Sequence, residues 1–182
     1  IKLFLYQYKT SMKANYKTLL PAIKAFVFDV DGVFTDGTVQ ITTTGELLRT
    51  ISIKDGYAVK QAVEAGYKIC VITGGTNPGV EKRLAGLGVT EIHLGVHDKI
   101  KILDAFMIEN ELKAESIAYM GDDLPDIEAM QKAGVASCPN NAVAEIKAIS
   151  DYVSHKNGGD GCVRDIIEQV MRVQDQWIKG IL

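Results

Sequence analysis

The sequence predicts an α/β domain, with a mostly parallel central sheet, helices on both of its faces and a small β-hairpin projecting from it. Three observations carry that expectation. From residue 25 onward, short β-branched runs alternate with helix-length segments. The apolar runs are continuous, as in strands buried on both faces of a parallel sheet. Only one pair of arms, around Thr44-Gly45, alternates apolar and polar residues in the manner of a hairpin.

Taken in order, AFVFDV (25–30) reads as the first buried strand and TVQITTTGELLRTISI (38–53) as the hairpin. YAVKQAVEAG (57–66) is a helix stopped by Gly66, and KICVIT (68–73) is the next strand. VEKRLAGLG supplies a helix, EIHL a short strand and DKIKILDAFMIENEL (98–112) a longer helix. SIAYMGD (116–122), VASCP (135–139) and DYVS (151–154) read as strands, with helices at PDIEAMQKAG and NAVAEIKAI between them. A last helix, CVRDIIEQVMRVQDQWIKGI, follows a Gly-rich turn. No repeat or linker interrupts the pattern. Residues 23–182 are therefore expected to form one domain behind an N-terminal extension, residues 1–22, and Met12 is one candidate for the true start.

Composition excludes several classes of function. At 182 residues, 47% hydrophobic and 24% charged, the chain can bury a core without disulfides or a structural metal. Net charge is −3 and the basic residues are scattered, so no nucleic-acid surface is expected. No apolar run approaches the roughly 18–20 residues that span a membrane. Cys70, Cys138 and Cys162 form no CxxC pair and read as small buried residues in a reducing cytoplasm. His93, His97 and His155 lack ligand spacing; His97 lies just before Asp98-Lys99 but is expected not to be catalytic.

Right-handed crossovers bring the loops that follow parallel strands to one edge of the sheet, where such folds bind ligands. Those loops carry Asp29 and Asp31, then Thr73-Gly74-Gly75, then Asp122, Asp123 and Asp126, with Lys99 in reach. An aspartate at a strand end is often a cap or turn residue. A set of them is different, because each carboxylate pair about 4 Å apart costs on the order of 1 kcal/mol in water and about 4 at an effective dielectric of 20. Such a set calls for a cation, and oxygen-only ligands suit Mg²⁺. An EF-hand is excluded by Val33, Phe34 and Gln40 at its fifth, sixth and twelfth positions. A cation, a lysine, a threonine hydroxyl and glycine amides together make a phosphate site, although neither a Walker loop nor GxGxxG is present.

DVDGVFTDG, ITGG, Lys99 and GDDLPD resemble the four signature motifs of haloacid dehalogenase superfamily phosphatases, over about residues 24–165. The resemblance implies a Rossmann-like fold and a phosphoaspartyl mechanism. Asp29 would be the nucleophile and Asp31 the general acid and base. Thr73 and Lys99 would hold the phosphoryl oxygens. Mg²⁺ would be bound by the Asp29 side chain, the Asp31 backbone carbonyl and Asp122, with Asp123 and Asp126 orienting its waters and Lys99.

Spacing then narrows the subclass. Asp29 and Thr73 are 44 positions apart, and Thr73 and Lys99 are 26 apart, which leaves no room for a cap domain. Closure must come from elsewhere, and Val39, Ile41, Leu47, Leu48, Ile51 and Ile53 make the hairpin apolar for an exposed arm. A homo-oligomer is expected, with the hairpin 38–53 of one subunit covering its neighbour's site. The hairpin, IKDGYAVK and the segment Gly158–Asp165 resemble the 3-deoxy-D-manno-octulosonate (KDO) 8-phosphate phosphatases, which implies a tetramer working in lipopolysaccharide synthesis. Gly74 and Gly75 would line the phosphate, with Lys54 and Arg164 toward the sugar; Arg49 and Arg83 are the other basic candidates for its carboxylate. Many members of that family have arginine where this chain has Lys54, Gly75 and Asp160. Three alternatives stand beside this reading. One is a phosphatase of nine-carbon 9-phosphates (KDN or N-acetylneuraminate), where position 75 is usually acidic. Another is a generic sugar or nucleotide phosphatase. The last, a non-catalytic binding module, is opposed by the presence of Asp29, Asp31, Lys99 and Asp122.

Overall fold

The structure, a computed structural model, describes residues 15–177. In chain order it contains β1 (Ala25–Phe28), β2 (Gln40–Ile41), β3 (Leu47–Leu48), α1 (Ile53–Glu64), β4 (Lys68–Ile72), α2 (Pro78–Ala85) and β5 (Glu91–His93). These are followed by α3 (Lys99–Glu109), β6 (Ile117–Met120), α4 (Ile127–Lys132), β7 (Val135–Cys138), α5 (Ala144–Ile149), β8 (Tyr152–Val153) and α6 (Cys162–Val173). A six-stranded sheet has the order β5-β4-β1-β6-β7-β8, and every neighbouring pair is parallel. The expected α/β architecture is therefore present, hairpin included.

The sheet is covered on both sides, which is why its strands read as unbroken apolar runs. In β1, Phe26 and Phe28 join one core with Val59 of α1, Leu84 of α2 and Ile167 of α6. Their neighbours Ala25 and Val27 point the other way, into a core with Leu103 and Phe106 of α3, Met130 of α4 and Ile146 of α5. Helix α6 shows the clearest stripe, burying Cys162, Val163, Ile166, Ile167, Val170 and Met171 at helical spacing. All three cysteines are buried as expected, and burial pushes the thiols of Cys70 and Cys162 upward, away from reactive thiolate.

The boundaries differ from expectation at two functional places. Strands β2 and β3 are two residues each, closed by a loop in which the Thr42 amide donates to the Glu46 carbonyl at 3.0 Å and Gly45 takes φ +83°. The hairpin is thus shorter than 38–53, because α1 begins at Ile53 and not at residue 57. Ser52 caps α1, accepting from the Asp55 amide at 3.5 Å, so the alternation of Ile51-Ser52-Ile53 belongs to a helix start. Helix α6 ends at Val173, and positions 178–181 of the expected last helix lie outside the described residues.

Residues 1–14 of the expected extension likewise lie outside them. Its remainder forms two 3-10 turns at Tyr16–Thr18 and Leu20–Ala22, and Leu20 is buried in the core beside Ile23. Among the described residues no helix is long and apolar enough to cross a membrane. No cap domain stands between Asp29 and Lys99; that stretch holds the hairpin, α1, β4, α2 and β5.

From β1 the chain moves outward to β4 and β5, then returns to β6 on the other side of β1. The C-terminal ends of β1, β4 and β6 therefore flank a switch point in strand order, the place where α/β sheets open a crevice.

Candidate active site

Each strand end delivers one part of the site. Asp29 follows β1, and its amide donates to the Met120 carbonyl of β6 at 3.1 Å. Thr73 follows β4, tied through its amide to the His93 carbonyl at 3.0 Å, and its hydroxyl accepts from the Gly75 amide at 3.1 Å. Asp122 and Asp123 follow β6, and Lys99 is the first residue of α3. Together with Asp31, Gly74 and Gly75 they line one cavity of about 420 Å³, at whose edge His97 also lies.

The floor of this cavity is a closed polar network. The Lys99 ammonium lies 2.7 Å from Asp29 Oδ2 and 2.7 Å from Asp126 Oδ1. Asp126 is fully buried, accepting also from the Tyr119 hydroxyl at 2.9 Å and from the Asp122 amide at 3.2 Å. Gly121 makes room for it, since a Cβ there would fall 2.4 Å from the Asp126 carboxyl carbon. Burial works against the charge on Lys99, but Asp29 and Asp126 outweigh it and raise its pKa.

Negative charge nevertheless exceeds positive. Burial, then the charge of Asp126, pushes Asp29 up to about 6 against the pull of Lys99. Burial also pushes Asp122 up to about 7, helped by Asp29, Asp126 and Asp123. Asp29, Asp122 and Asp126 bring oxygens within 4.8 Å of one another. Asp126 lies beneath the cavity, enclosed by Lys99, Tyr119 and the Asp122 amide, whereas Asp29 and Asp122 line it and present their carboxylates to an ion bound there. Asp122 reaches its position only because residue 32 is glycine at φ +86°, where a Cβ would sit 1.9 Å from Asp122 Oδ2. An all-oxygen donor set with uncompensated charge suits a hard divalent cation.

The rim is built differently. Asp31 is half-buried and bound by both oxygens to Arg49, with Nε to Oδ1 at 2.7 Å and Nη2 to Oδ2 at 3.0 Å. Arg49 leaves the hairpin just after β3, and Asn77, the cap of α2, holds that strand end by donating to the Leu47 carbonyl at 2.9 Å.

Comparison with known proteins agrees with this geometry. Residues 85–166 match the family model described as haloacid dehalogenase-like hydrolase. Over 152 residues the chain is 32% identical to the KDO 8-phosphate phosphatase of Salmonella typhi, covering 84% of this chain and 81% of that protein. The chain belongs to the haloacid dehalogenase-like hydrolases. The solved KDO 8-phosphate phosphatase of Yersinia pestis superposes with a TM-score of 0.87 at 28% identity, covering 89% of this chain and 88% of that one. That of Moraxella catarrhalis, solved with magnesium, phosphate and KDO, gives 0.86 at 30% identity, with coverage of 88% and 92%.

Of the site residues the sequence suggested for this haloacid dehalogenase-like hydrolase, the structure gathers Asp29, Asp31, Thr73, Gly74, Gly75, Lys99, Asp122 and Asp123 around the cavity, with Asp126 beneath. Lys54 and Arg164 do not line it. Lys54 is exposed on the first turn of α1. Arg164 lies over the Trp177 ring at 5.5 Å and donates to Glu168 at 3.2 Å. Gly158 packs behind the Asp31-Gly32 loop, where a Cβ would fall 1.9 Å from the Gly32 carbonyl oxygen, and the Gly159 amide donates to Val33 at 3.0 Å. One residue, Tyr119, was missed, and so was the pairing of two residues that had each been named. Tyr119 had a signal, a hydroxyl inside an apolar strand that must find a buried partner. The Arg49–Asp31 pair had none, since 18 positions of irregular chain and hairpin separate them.

Proposed function

We propose that this hydrolase is a Mg²⁺-dependent phosphatase that converts KDO 8-phosphate to KDO and phosphate through an aspartyl-phosphate at Asp29, a step of lipopolysaccharide synthesis. The observation that carries it is Asp29 on the cavity floor, 2.7 Å from the Lys99 ammonium and facing the Thr73-Gly74-Gly75 loop. A carboxylate attacks a phosphate monoester only where the repulsion between the two anions is cancelled. Lys99 and the Thr73 hydroxyl hold phosphoryl oxygens, while Asp126 fixes the direction of Lys99. Mg²⁺ would be held by Asp29, Asp122 and the Asp31 carbonyl and would supply the remaining positive charge, and Asp123 would orient the water around it.

Attack by Asp29 forms the carboxyl–phosphorus bond as the bond from phosphorus to the sugar oxygen breaks, and Asp31 gives that oxygen its proton. Asp31, now a carboxylate, takes a proton from water as the water attacks phosphorus. The Asp29–phosphorus bond breaks, freeing phosphate and restoring both aspartates.

The choice of sugar is supported by the Salmonella relative and by the magnesium, phosphate and KDO held in the Moraxella structure. Association into a tetramer is supported by the apolar surface of the hairpin and the start of α1, where Ile41 is 72% and Ile53 81% exposed. Lys54 and Arg164 keep a role toward substrate only across such an interface. A cytoplasmic location accords with cysteines that are buried and unreactive.

Phosphate release with Mg²⁺ across KDO 8-phosphate, nine-carbon 9-phosphates and simple sugar phosphates tests this reading, with Asp29→Asn as control. A preference for KDO 8-phosphate that vanishes in the variant is the expected result. Preference for a nine-carbon ester would replace the substrate, and release that survives Asp29→Asn would sink the mechanism.

A further inference from the structure

Arg49 stands at the rim, next to the reacting groups and outside the polar network of the floor. Among the described residues that line the cavity, Lys99 is the only lysine or arginine, and it is paired with Asp29 and Asp126. The guanidinium of Arg49 stands just behind Asp31 and beside Gly75, two residues that line the cavity. A Cβ at position 75 would lie 3.3 Å from Arg49 Nη2 and 3.3 Å from Asp31 Oδ2. Glycine at position 75 leaves the guanidinium uncrowded beside the phosphate loop. The Arg49 side chain is only 9% exposed, and its third nitrogen is fixed on the Leu47 carbonyl at 3.1 Å. That carbonyl is itself held by Asn77. The guanidinium is thus preorganised, with its planar fork aimed at a carboxylate.

The carboxylate it now holds is the wrong one for the reaction. Asp31 must hand a proton to the leaving sugar oxygen, yet both of its oxygens accept N–H donors from Arg49. A proton on either oxygen removes the charge that the guanidinium is paired with and, in its ordinary orientation, points at the N–H donors of that fork. The pair has to open before the acid step. Opening it for a substrate without a second anion leaves a largely buried guanidinium unpaired, which is costly. A substrate that brings its own carboxylate removes the penalty, because one carboxylate replaces another and the charge around Arg49 is unchanged.

We propose that Arg49 anchors the substrate's carboxylate and, by exchanging Asp31 for it, releases Asp31 to act as the general acid. The inference rests on the reading of the chain as a phosphatase of sugar-acid esters. It assigns Arg49 as a specificity-determining residue whose effect falls on turnover as well as on binding. No covalent bond changes in the exchange.

The test compares wild type with Arg49→Met and Arg49→Lys, using Mg²⁺, carboxylated esters (KDO 8-phosphate and a nine-carbon 9-phosphate) and a carboxylate-free sugar phosphate. In Arg49→Met, kcat/KM for the preferred carboxylated ester should fall about 100-fold, split between kcat and KM. Turnover of the carboxylate-free ester should fall much less, since that ester brings no carboxylate for Arg49 to hold. Arg49→Lys keeps the charge without the fork and should recover part of the loss. Calorimetry with KDO, Mg²⁺ and the same proteins gives a readout apart from turnover, with binding expected in wild type and lost in Arg49→Met. Equal losses on both kinds of ester, or an undiminished preference for the carboxylated one, would overturn the anchor. Wild type that prefers the nine-carbon ester would overturn the substrate reading and leave the anchor tested on that ester. Wild type with no preference for any carboxylated ester would overturn both. Should Arg49→Met not fold, Arg49→Lys decides: wild-type preference in that variant would overturn the requirement for the fork.

Discussion

Asp126 and Asp31 are carboxylates of the same site, held by opposite means. Asp126 is fully buried at the end of the central strands, and its two oxygens answer Lys99, Tyr119 and the Asp122 amide. Asp31, more than a third exposed at its side chain, has its oxygens in the fork of one guanidinium that arrives from the hairpin. The floor is set by strand register, so altering it disturbs the fold and the chemistry together. The rim is set by a few contacts at the root of a projection. On the proposed reading, reaction class rests with the part of the molecule least able to change, and substrate choice with the part most able to.

The largest effect expected from this contrast separates two neighbouring aspartates of the floor. Asp29→Asn should lower turnover by about 10⁴-fold or more, the scale for loss of a nucleophile. It should cost little stability in metal-free protein, because Asp29 is a carboxylate that burial already drives toward its neutral form. Asp126→Ala should lower turnover less, by about 100-fold, but should destabilise by about 3 kcal/mol, since it strips Lys99 and Tyr119 of a buried partner. Thermal melts beside phosphate-release rates measure both. Equal stability losses in the two variants would erase the distinction between a reacting group and its support.

A smaller effect concerns charge on the floor. In the metal-free protein Asp29 and Asp122 are raised from 3.8 to about 6 and about 7. A carboxylate with a raised pKa binds its proton more tightly in the folded than in the unfolded state. Its contribution to stability is complete below the unfolded value, near pH 4, and is lost as pH climbs through 6 and 7. Mg²⁺ competes with those protons, so the rise in melting temperature that it causes should grow from pH 5 to pH 8. At a free concentration one hundred times Kd the stabilisation free energy should reach about 2.7 kcal/mol. A magnesium effect that stays flat across that range, or persists unchanged in Asp122→Asn, would mean that the ion binds elsewhere.

The same division explains what was legible in the sequence. The strand-end motifs around Asp29, Thr73 and Asp122 could be read because a parallel sheet converts linear order into spatial convergence without needing any side-chain detail. Lys99 and Asp126 followed from that frame. The boundary at Ser52 could not be read from alternation, since Ile51 and Ile53 fit a strand as well as a capped helix, and the hydrogen bond that the Asp55 amide donates to the Ser52 hydroxyl marks the helix start. Arg49 could be named only as one basic residue among four. What singles it out is a pairing across 18 positions, set by how the hairpin root leans on Asn77, and no periodicity encodes that lean. The Gly158-Gly159 turn could be matched only as a pattern, and its backbone packs behind the Asp31-Gly32 loop.

The smallest effect on the protomer should come from the tip of the rim, and there the expectation is a dissociation. Ile41 is 72% exposed and Leu48 47% exposed, on strands that contribute nothing to either core. Replacing both with aspartate should change unfolding free energy by no more than about 0.5 kcal/mol, the scale of surface substitutions. If the hairpin packs against a second subunit, the same change buries like charges in an apolar contact, and sedimentation should then report a smaller species. The two outcomes for activity sharpen the contrast further. A protomer that keeps its floor and its Arg49–Asp31 pair but loses its neighbour should retain hydrolysis of small carboxylate-free esters while losing rate on KDO 8-phosphate, because only the larger sugar extends far enough to need cover from another hairpin. Sedimentation unchanged by the double substitution would remove the interface from the rim, and enclosure of the sugar would then rest on the Arg49 side chain and its own hairpin alone.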